Sequence, residues 1–212
     1  MLTERSLRAV LAGFDRRPAT RPGLRPAAVT VTLVTTGPDA DQAQVLLTRR
    51  ARGLRAHAGQ WALPGGRVDA GESVTAAARR ELAEELGLAL PESAVLGLLD
   101  DYPTRSGYVI TPVVLWAGPV TGGDVTARTG RRALRPRREE VAAVYGVPID
   151  QLDIEPRFVS IPESDAPVIQ LPLMGRLVHA PTGAVLYQFR ELALHDRVTR
   201  VGRLEQPVFA WR

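Results

Sequence analysis

A mixed α/β sandwich is the fold class that these 212 residues predict, and three observations predict it. Short runs rich in β-branched residues recur on both sides of one strongly helical segment. Strand and helix patterns follow one another without regular alternation, which points to a mixed sheet rather than to repeated units. The length and the 45% hydrophobic and 24% charged content suit one soluble globular core with a terminal extension.

Taken in order, Leu2, Leu7, Val10, Leu11 and Phe14 recur at helical intervals among arginines and predict an N-terminal amphipathic helix that packs as an arm. Pro18, Pro22 and Pro26 make a connector, so residues 1–26 are expected to be arm and linker and 27–212 the folded domain. Ala27 to Val34 alternates as a first strand, Gly37-Pro38-Asp39 turns the chain, and Ala43 to Thr48 reads as the antiparallel partner. Arg49 to Gln60 is too polar for a core element. Trp61 to Leu63 is a short strand running into Pro64-Gly65-Gly66, where two glycines permit a sharp turn and close approach to an ion or phosphate. Val95 to Leu99, Val109 to Trp116 and Glu140 to Val147 are expected strands. Pro119 to Pro136 and Pro156 to Pro172 are expected loops, Ile149 to Ile154 a short helix or turn, and Ala184 to Leu194 a last helix. Val208 to Trp211 reads as a buried end strand or a dimer contact.

The most informative segment is Gly66 to Leu88, with a helix expected from about Ser73 to Leu86 and Gly87 at its left-handed end. Val74, Ala78, Leu82 and Leu86 form a narrow apolar stripe. Glu81, Glu84 and Glu85 project from neighbouring points on the other face. Two of these carboxylates sit in the last turn, where the helix dipole disfavours anions, so local stability did not select them. Carboxylates about 5 Å apart repel by roughly 3 kcal/mol at an effective dielectric near 20, against a few tenths for an exposed helical pair. A partly buried cluster therefore needs a cation, and oxygen ligands without imidazole or sulfur suit magnesium or manganese.

Read as Gly66, Glu72 and then Arg80-Glu81-Leu82-Ala83-Glu84-Glu85-Leu86-Gly87-Leu88, the segment resembles the complete signature of the Nudix hydrolases. Seven fixed residue types at these spacings arise by chance on the order of once in a million chains. The resemblance implies an α/β/α sandwich with a mixed β-sheet, and hydrolysis of a diphosphate bridge by metal-activated water. It implies metal ligation by Glu81, Glu84 and Glu85 with the carbonyl of Gly65, orientation of a carboxylate by Arg80, and a further ligand or supporting role for Glu72. Glu81 is the first choice as base and Glu84 the second. Glu140 is a candidate extra carboxylate, with simple pairing to Arg137 or Arg138 as the alternative.

Upstream, Leu46 to Gly66 resembles the segment that marks the coenzyme A diphosphatase branch of that family, as do Ser106-Gly107-Tyr108 and Thr111-Pro112-Val113. Leu63 departs from it, since the branch usually has phenylalanine there. Arg50 and Arg55 would supply bidentate donors to phosphate, and His57 and Gln60 would reach a ribose phosphate or base. The implied reaction yields 4'-phosphopantetheine and adenosine 3',5'-bisphosphate. Another nucleoside diphosphate derivative, such as ADP-ribose or a nucleotide sugar, is the alternative substrate, and a nucleotide-sensing module without catalysis is the alternative of another class.

Composition narrows the field further. There is no cysteine, which excludes disulfides, thiolate zinc sites and cysteine nucleophiles. All 27 basic residues are arginine, so a phosphate loop with its lysine and Schiff-base chemistry are excluded too. His57, His179 and His195 are too scattered for a histidine metal cluster. The net charge of +4 is modest and aromatic residues are sparse, so the expected partner is a small phosphorylated ligand rather than nucleic acid. No long apolar run suggests a membrane span or signal peptide, and a cytoplasmic location is expected.

Overall fold

The structure is a computed structural model that describes residues 2–19, 21–36, 42–53, 58–121 and 132–210. The elements run α1 (Glu4–Ala12), β1 (Arg25–Thr36), β2 (Gln42–Arg50), β3 (Trp61–Ala62), β4 (Gly65–Arg67), α2 (Val74–Leu86), β5 (Val95–Leu98), β6 (Tyr102–Pro103), β7 (Tyr108–Thr121), β8 (Arg132–Ala133), β9 (Val141–Pro148), β10 (Arg157–Ile161), β11 (Ser164–Leu173), β12 (Arg176–His179) and α3 (Thr182–His195). Short 3-10 turns occupy Glu92–Ala94, Ile149–Leu152 and Val208–Ala210.

Strand β1 is the spine. It runs parallel to β7 from Arg25 opposite Tyr108 to Thr35 opposite Pro119. Along its other edge it pairs antiparallel first with β4 and then with β2. The sheet is therefore mixed, in the order β3-β2-β1-β7-β5 with β4, β6, β8 and β9 attached. Alternation explains the layering. Ala28 and Val34 of β1 face Ala77, Ala78, Leu82 and Leu86 of α2, whereas Val31 and Leu33 face Leu7 and Leu11 of α1 and Val185 and Phe189 of α3. Burial on both faces is why β1 is apolar or threonine throughout its centre; Thr30 and Thr32 are fully buried.

Helix α1 is capped by a reciprocal Thr3–Ser6 box, and Arg8 donates to the carbonyls of Ser93 and Val95. Its Leu11 lies against Gly97, where any Cβ would crowd it. The N-terminal helix thus shares the main core. Arg16 and Arg200 from the two ends of the chain grip Asp101 and Asp100 in the middle, and Gln188 of α3 donates to Asp100 as well.

Helix α2 matches the expected span. The Ser73 hydroxyl accepts from Ala76 N–H at 3.1 Å, and Gly87 ends the helix at φ +67. Ser73→Ala is expected to lower stability by about 1 kcal/mol, read as a shift in the denaturation midpoint with unchanged slope.

Three expectations need correction. Residues 156–172 are not a loop: β10, β11 and β12 form a separate three-stranded antiparallel sheet against α3. Pro162 falls between β10 and β11, while Pro167 and Pro172 lie within β11, Pro172 beyond the stretch paired to β10 and opposite Leu177 of β12. The 119–136 segment is not wholly loop either, because β7 runs to Thr121 and β8 pairs alongside it. The chain end at Val208–Ala210 is a 3-10 turn rather than a strand, with Phe209 edge-on to His179 at 5.3 Å. The turn at Gly37-Pro38-Asp39, together with Trp211, lies outside the described residues.

Candidate active site

The acidic face of α2 lies over β4. Gly66 is pressed so tightly against Glu81 that a Cβ there would overlap the carboxylate. Gly65, at φ +153, is pressed equally closely on the backbone of Ala28 and Val29. The two glycines therefore form a strand that receives the helix, not the sharp turn expected from their sequence. The Gly65 N–H donates to the Glu85 carboxylate.

The three signature glutamates occupy three different environments. Glu84 is exposed, Glu81 half-buried, and Glu85 only 5% exposed. The cluster is therefore partly buried, with Glu85 buried on α2 alongside Leu82 and Leu86. Burial pushes the Glu85 carboxyl up to about 8, with the Arg50 charge opposing and the Glu81 and Glu140 charges reinforcing the rise. Burial raises Glu81 as well, against the hydrogen bond from Arg80.

Arg80 is the hub on the outer side. Its Nε and Nη2 donate to the two oxygens of Glu72 at 3.0 and 3.1 Å, its Nη1 donates to Glu81 at 2.9 Å and more weakly to Glu84 at 3.4 Å, and Nη2 also reaches the Arg67 carbonyl. That fork holds Glu72 below the usual carboxylate range. Arg80 thus bridges Glu72, Glu81 and Glu84, and among the described residues no three acidic or histidine groups are grouped closely enough to enclose an ion. The donor set still fits a hard divalent cation. Its atoms are all oxygens, and burial disfavours the charged forms of Glu81 and Glu85 beyond what Arg80 and Arg50 offset, a cost that a bound cation would relieve.

Glu140 lies close enough to act on both Glu81 and Glu85, and Arg137 pairs with it at 3.1 Å. The pairing with Arg137 is thus present, and the Glu140 charge reaches the acidic cluster. The segment that carries it closes the helix end, where Arg135 and Arg137 N–H groups donate to the Leu86 and Glu85 carbonyls at 2.7 and 2.8 Å.

A cleft of about 330 Å³ opens beside Gly65 and Gly66, in the size range of small-molecule sites. Arg50 and Gln60 line it. The Arg50 Nε is buried with no hydrogen-bond partner among the described residues, so this guanidinium is held in the wall with donor capacity unspent. Arg55 and His57 lie outside the described residues. Ser106 and Tyr108, from the second motif quoted above, line the same cleft. The sequence did not show that Arg67, Thr182 and Gln206 also border it. Thr182 and Gln206 come from the C-terminal segment, more than a hundred residues after the glycines, and only the packing of α3 onto β3 brings Thr182 to within 3.4 Å of the Trp61 carbonyl.

A mixed sheet thus lies between helices, with an acidic helix laid over a glycine strand beside a cleft of small-molecule size. Residues 24–168 match the NUDIX domain family, and the chain belongs to that family. NudL, a Nudix hydrolase of Escherichia coli O1:K1, is 42% identical over 113 residues, covering 52% of this chain and 52% of that protein. Nudix hydrolase 3 of Caenorhabditis elegans is 36% identical over 109 residues, 51% of this chain and 42% of that protein. The chain spans about half the length of the curated relatives it matches. A MutT/nudix family protein from Enterococcus faecalis shares the fold with a TM-score of 0.50 at 18% identity, over 88% of this chain and 68% of that one. No helix among the described residues is long and apolar enough to cross a membrane.

Proposed function

We propose that the protein hydrolyses the diphosphate bond of coenzyme A or its thioesters with magnesium or manganese, releasing 4'-phosphopantetheine and adenosine 3',5'-bisphosphate. The observation that carries the reaction is the buried Glu85 and half-buried Glu81, seated against Gly65 and Gly66 at the edge of a cleft that also holds Arg50. The choice of substrate is supported by the two stretches that resemble the coenzyme A branch: Arg50 and Gln60 from one, and Ser106 and Tyr108 from the other, face the same cleft.

In the reaction a water oxygen attacks phosphorus, the anhydride P–O bond breaks, and the water proton passes to a carboxylate. Glu81 is the proposed base, with Glu84 the second choice. Glu81, Glu84 and Glu85 would hold the cation, which when bound neutralises the diphosphate and lowers the pKa of the attacking water. Arg80 fixes the Glu81 carboxylate through its 2.9 Å hydrogen bond and steadies itself on Glu72, so that the base is oriented before substrate arrives. Arg50, which lines the cleft, would clamp a phosphate oxygen with the outer part of its guanidinium, and Gln60 would contact the ribose phosphate or base. Arg55 and His57 belong to the same proposed clamp. Glu140 would supply a further negative charge at the cation.

Incubation with coenzyme A and magnesium, with products identified by mass, tests the reading. The expected products are the two fragments named above, formed only when metal is present. Faster turnover of ADP-ribose or a nucleotide sugar would move the assignment to another diphosphate substrate. Binding with no turnover of any of them would make the domain a nucleotide-sensing module.

A further inference from the structure

Three neighbouring strands present one continuous surface at the mouth of the cleft. Arg67 of β4 stands opposite Ala27 of β1, Ala27 stands beside Ile110 of β7, and two residues earlier on the same faces Arg25 stands beside Tyr108. Because side chains alternate along a strand, Arg25, Ala27 and Val29 share a face with Tyr108 and Ile110. Of that face, Ala27, Val29, Ile110, Tyr108 and, from β4, Arg67 line the cleft, and the exposed Arg25 stands just outside it beside Tyr108. The Arg25 guanidinium lies 4.3 Å from the Tyr108 ring centre and that of Arg67 lies 5.8 Å from it, with the Arg67 Nε donating to the Tyr108 hydroxyl at 3.0 Å.

Neither arginine carries an ion pair among the described residues. Arg80 and Arg137 by contrast are held by carboxylates, Arg80 by Glu72 and Glu81 and Arg137 by Glu140. Two guanidinium groups drawn to one ring with no carboxylate between them repel each other, and the phenol offers only its ring face and one oxygen in return. An anion with several acceptor oxygens would satisfy both forks at once, which is the recognition geometry arginine is suited to.

We propose that Arg25, Arg67 and Tyr108 form a subsite for a second phosphate of the substrate, a phosphomonoester distinct from the diphosphate that meets the acidic helix. The substrate would then lie along the floor, its reacting bond at Gly65 and Gly66 and its apolar or planar middle over Ala27, Val29 and Ile110. This deepens the functional reading above and rests on it for the direction in which the substrate lies. The subsite itself is a property of binding and can be read without catalysis.

The test is calorimetric titration of metal-free protein with adenosine 3',5'-bisphosphate and with adenosine 5'-monophosphate, in the unaltered protein and in the Arg25→Gln, Arg67→Gln double variant. The unaltered protein is expected to prefer the bisphosphate by at least about tenfold, and the double variant to bring the two dissociation constants to within about twofold. The single variants, each expected to lose part of the preference, serve if the double variant melts early. Equal affinity for the two ligands in the unaltered protein, or a preference that survives both substitutions, overturns the subsite. Failure of the hydrolytic reading gives a different result, namely no cleavage of coenzyme A or of dephospho-coenzyme A with metal present. Equal cleavage of those two, with equal affinity for the two nucleotides, would leave the hydrolase standing and remove the subsite.

Discussion

Glu85→Gln is expected to lower metal-dependent diphosphate cleavage by more than about a hundredfold, since even the outer partners of metal ligands are worth 10- to 100-fold. The same change should leave the melting temperature of metal-free protein unchanged or slightly raised. The two expectations have one cause. Glu85 is 5% exposed, and burial rather than a missing partner dominates its chemistry, pushing the carboxyl up to about 8. A buried carboxylate costs stability when ionised, whereas an amide of the same shape carries no charge to desolvate and its oxygen can still accept from the Gly65 N–H. A residue kept for structure would show the opposite pattern, with melting falling and activity following it. Turnover assays with magnesium and thermal melts after chelation separate the cases. Activity within tenfold of the unaltered protein would remove Glu85 from the proposed site.

What the sequence made legible follows from what spacing can encode. The α2 stripe, its Ser73 start and its Gly87 end are set by residues within a turn or two of one another, and the helix stands where they place it. The same is true of β1, whose alternation is local, and of α3, where Ala184, Val185, Leu186, Phe189 and Leu192 recur closely enough to mark a buried helix. Spacing also brings Glu81, Glu84 and Glu85 to one side of the helix. It says nothing about what lies opposite, and there the reading fell short. Glu85 is buried because β4 and the 134–140 segment close over the helix end, contacts made across tens of residues. Residues 156–172 misled for a different reason. Proline density is a local signal for loops, and it was overruled by pairing between β10 and β11, in which Phe158 meets Ile169 and Val159 meets Val168. Within the cleft, the motif residues Arg50, Gln60, Ser106 and Tyr108 were visible as sequence. That Arg25 and Arg67 stand beside Tyr108 depends on the register of three strands, which only the fold supplies.

The adjacent glycines of β4 allow structure and chemistry to be separated with one methyl group each. At Gly65 a Cβ would run into the carbonyl oxygen of Ala28 and the Cα of Val29, which are backbone atoms of the central strand and cannot step aside. The backbone there also sits at φ +153, a conformation that L side chains rarely adopt. Strain of this kind costs about 1–3 kcal/mol, and the overlap with a packed strand adds a similar amount. Gly65→Ala is therefore expected to destabilise by about 3 kcal/mol or more, a fall of roughly 6–12 °C in melting temperature for a chain of this size. At Gly66 the obstacle is the end of the Glu81 side chain, which can swing away. Gly66→Ala should therefore melt within a few degrees of the unaltered protein. The methyl group nevertheless takes the place where the carboxylate rests, and Glu81 can clear it only by giving up its position beside Arg80. A displacement of about 1 Å in a reacting group can cost a hundredfold, so cleavage should fall by at least tenfold in a protein that remains folded. If Gly66→Ala retained full activity, Glu81 would not be the base. A normal melt for Gly65→Ala would mean that β4 does not lie against β1 as described.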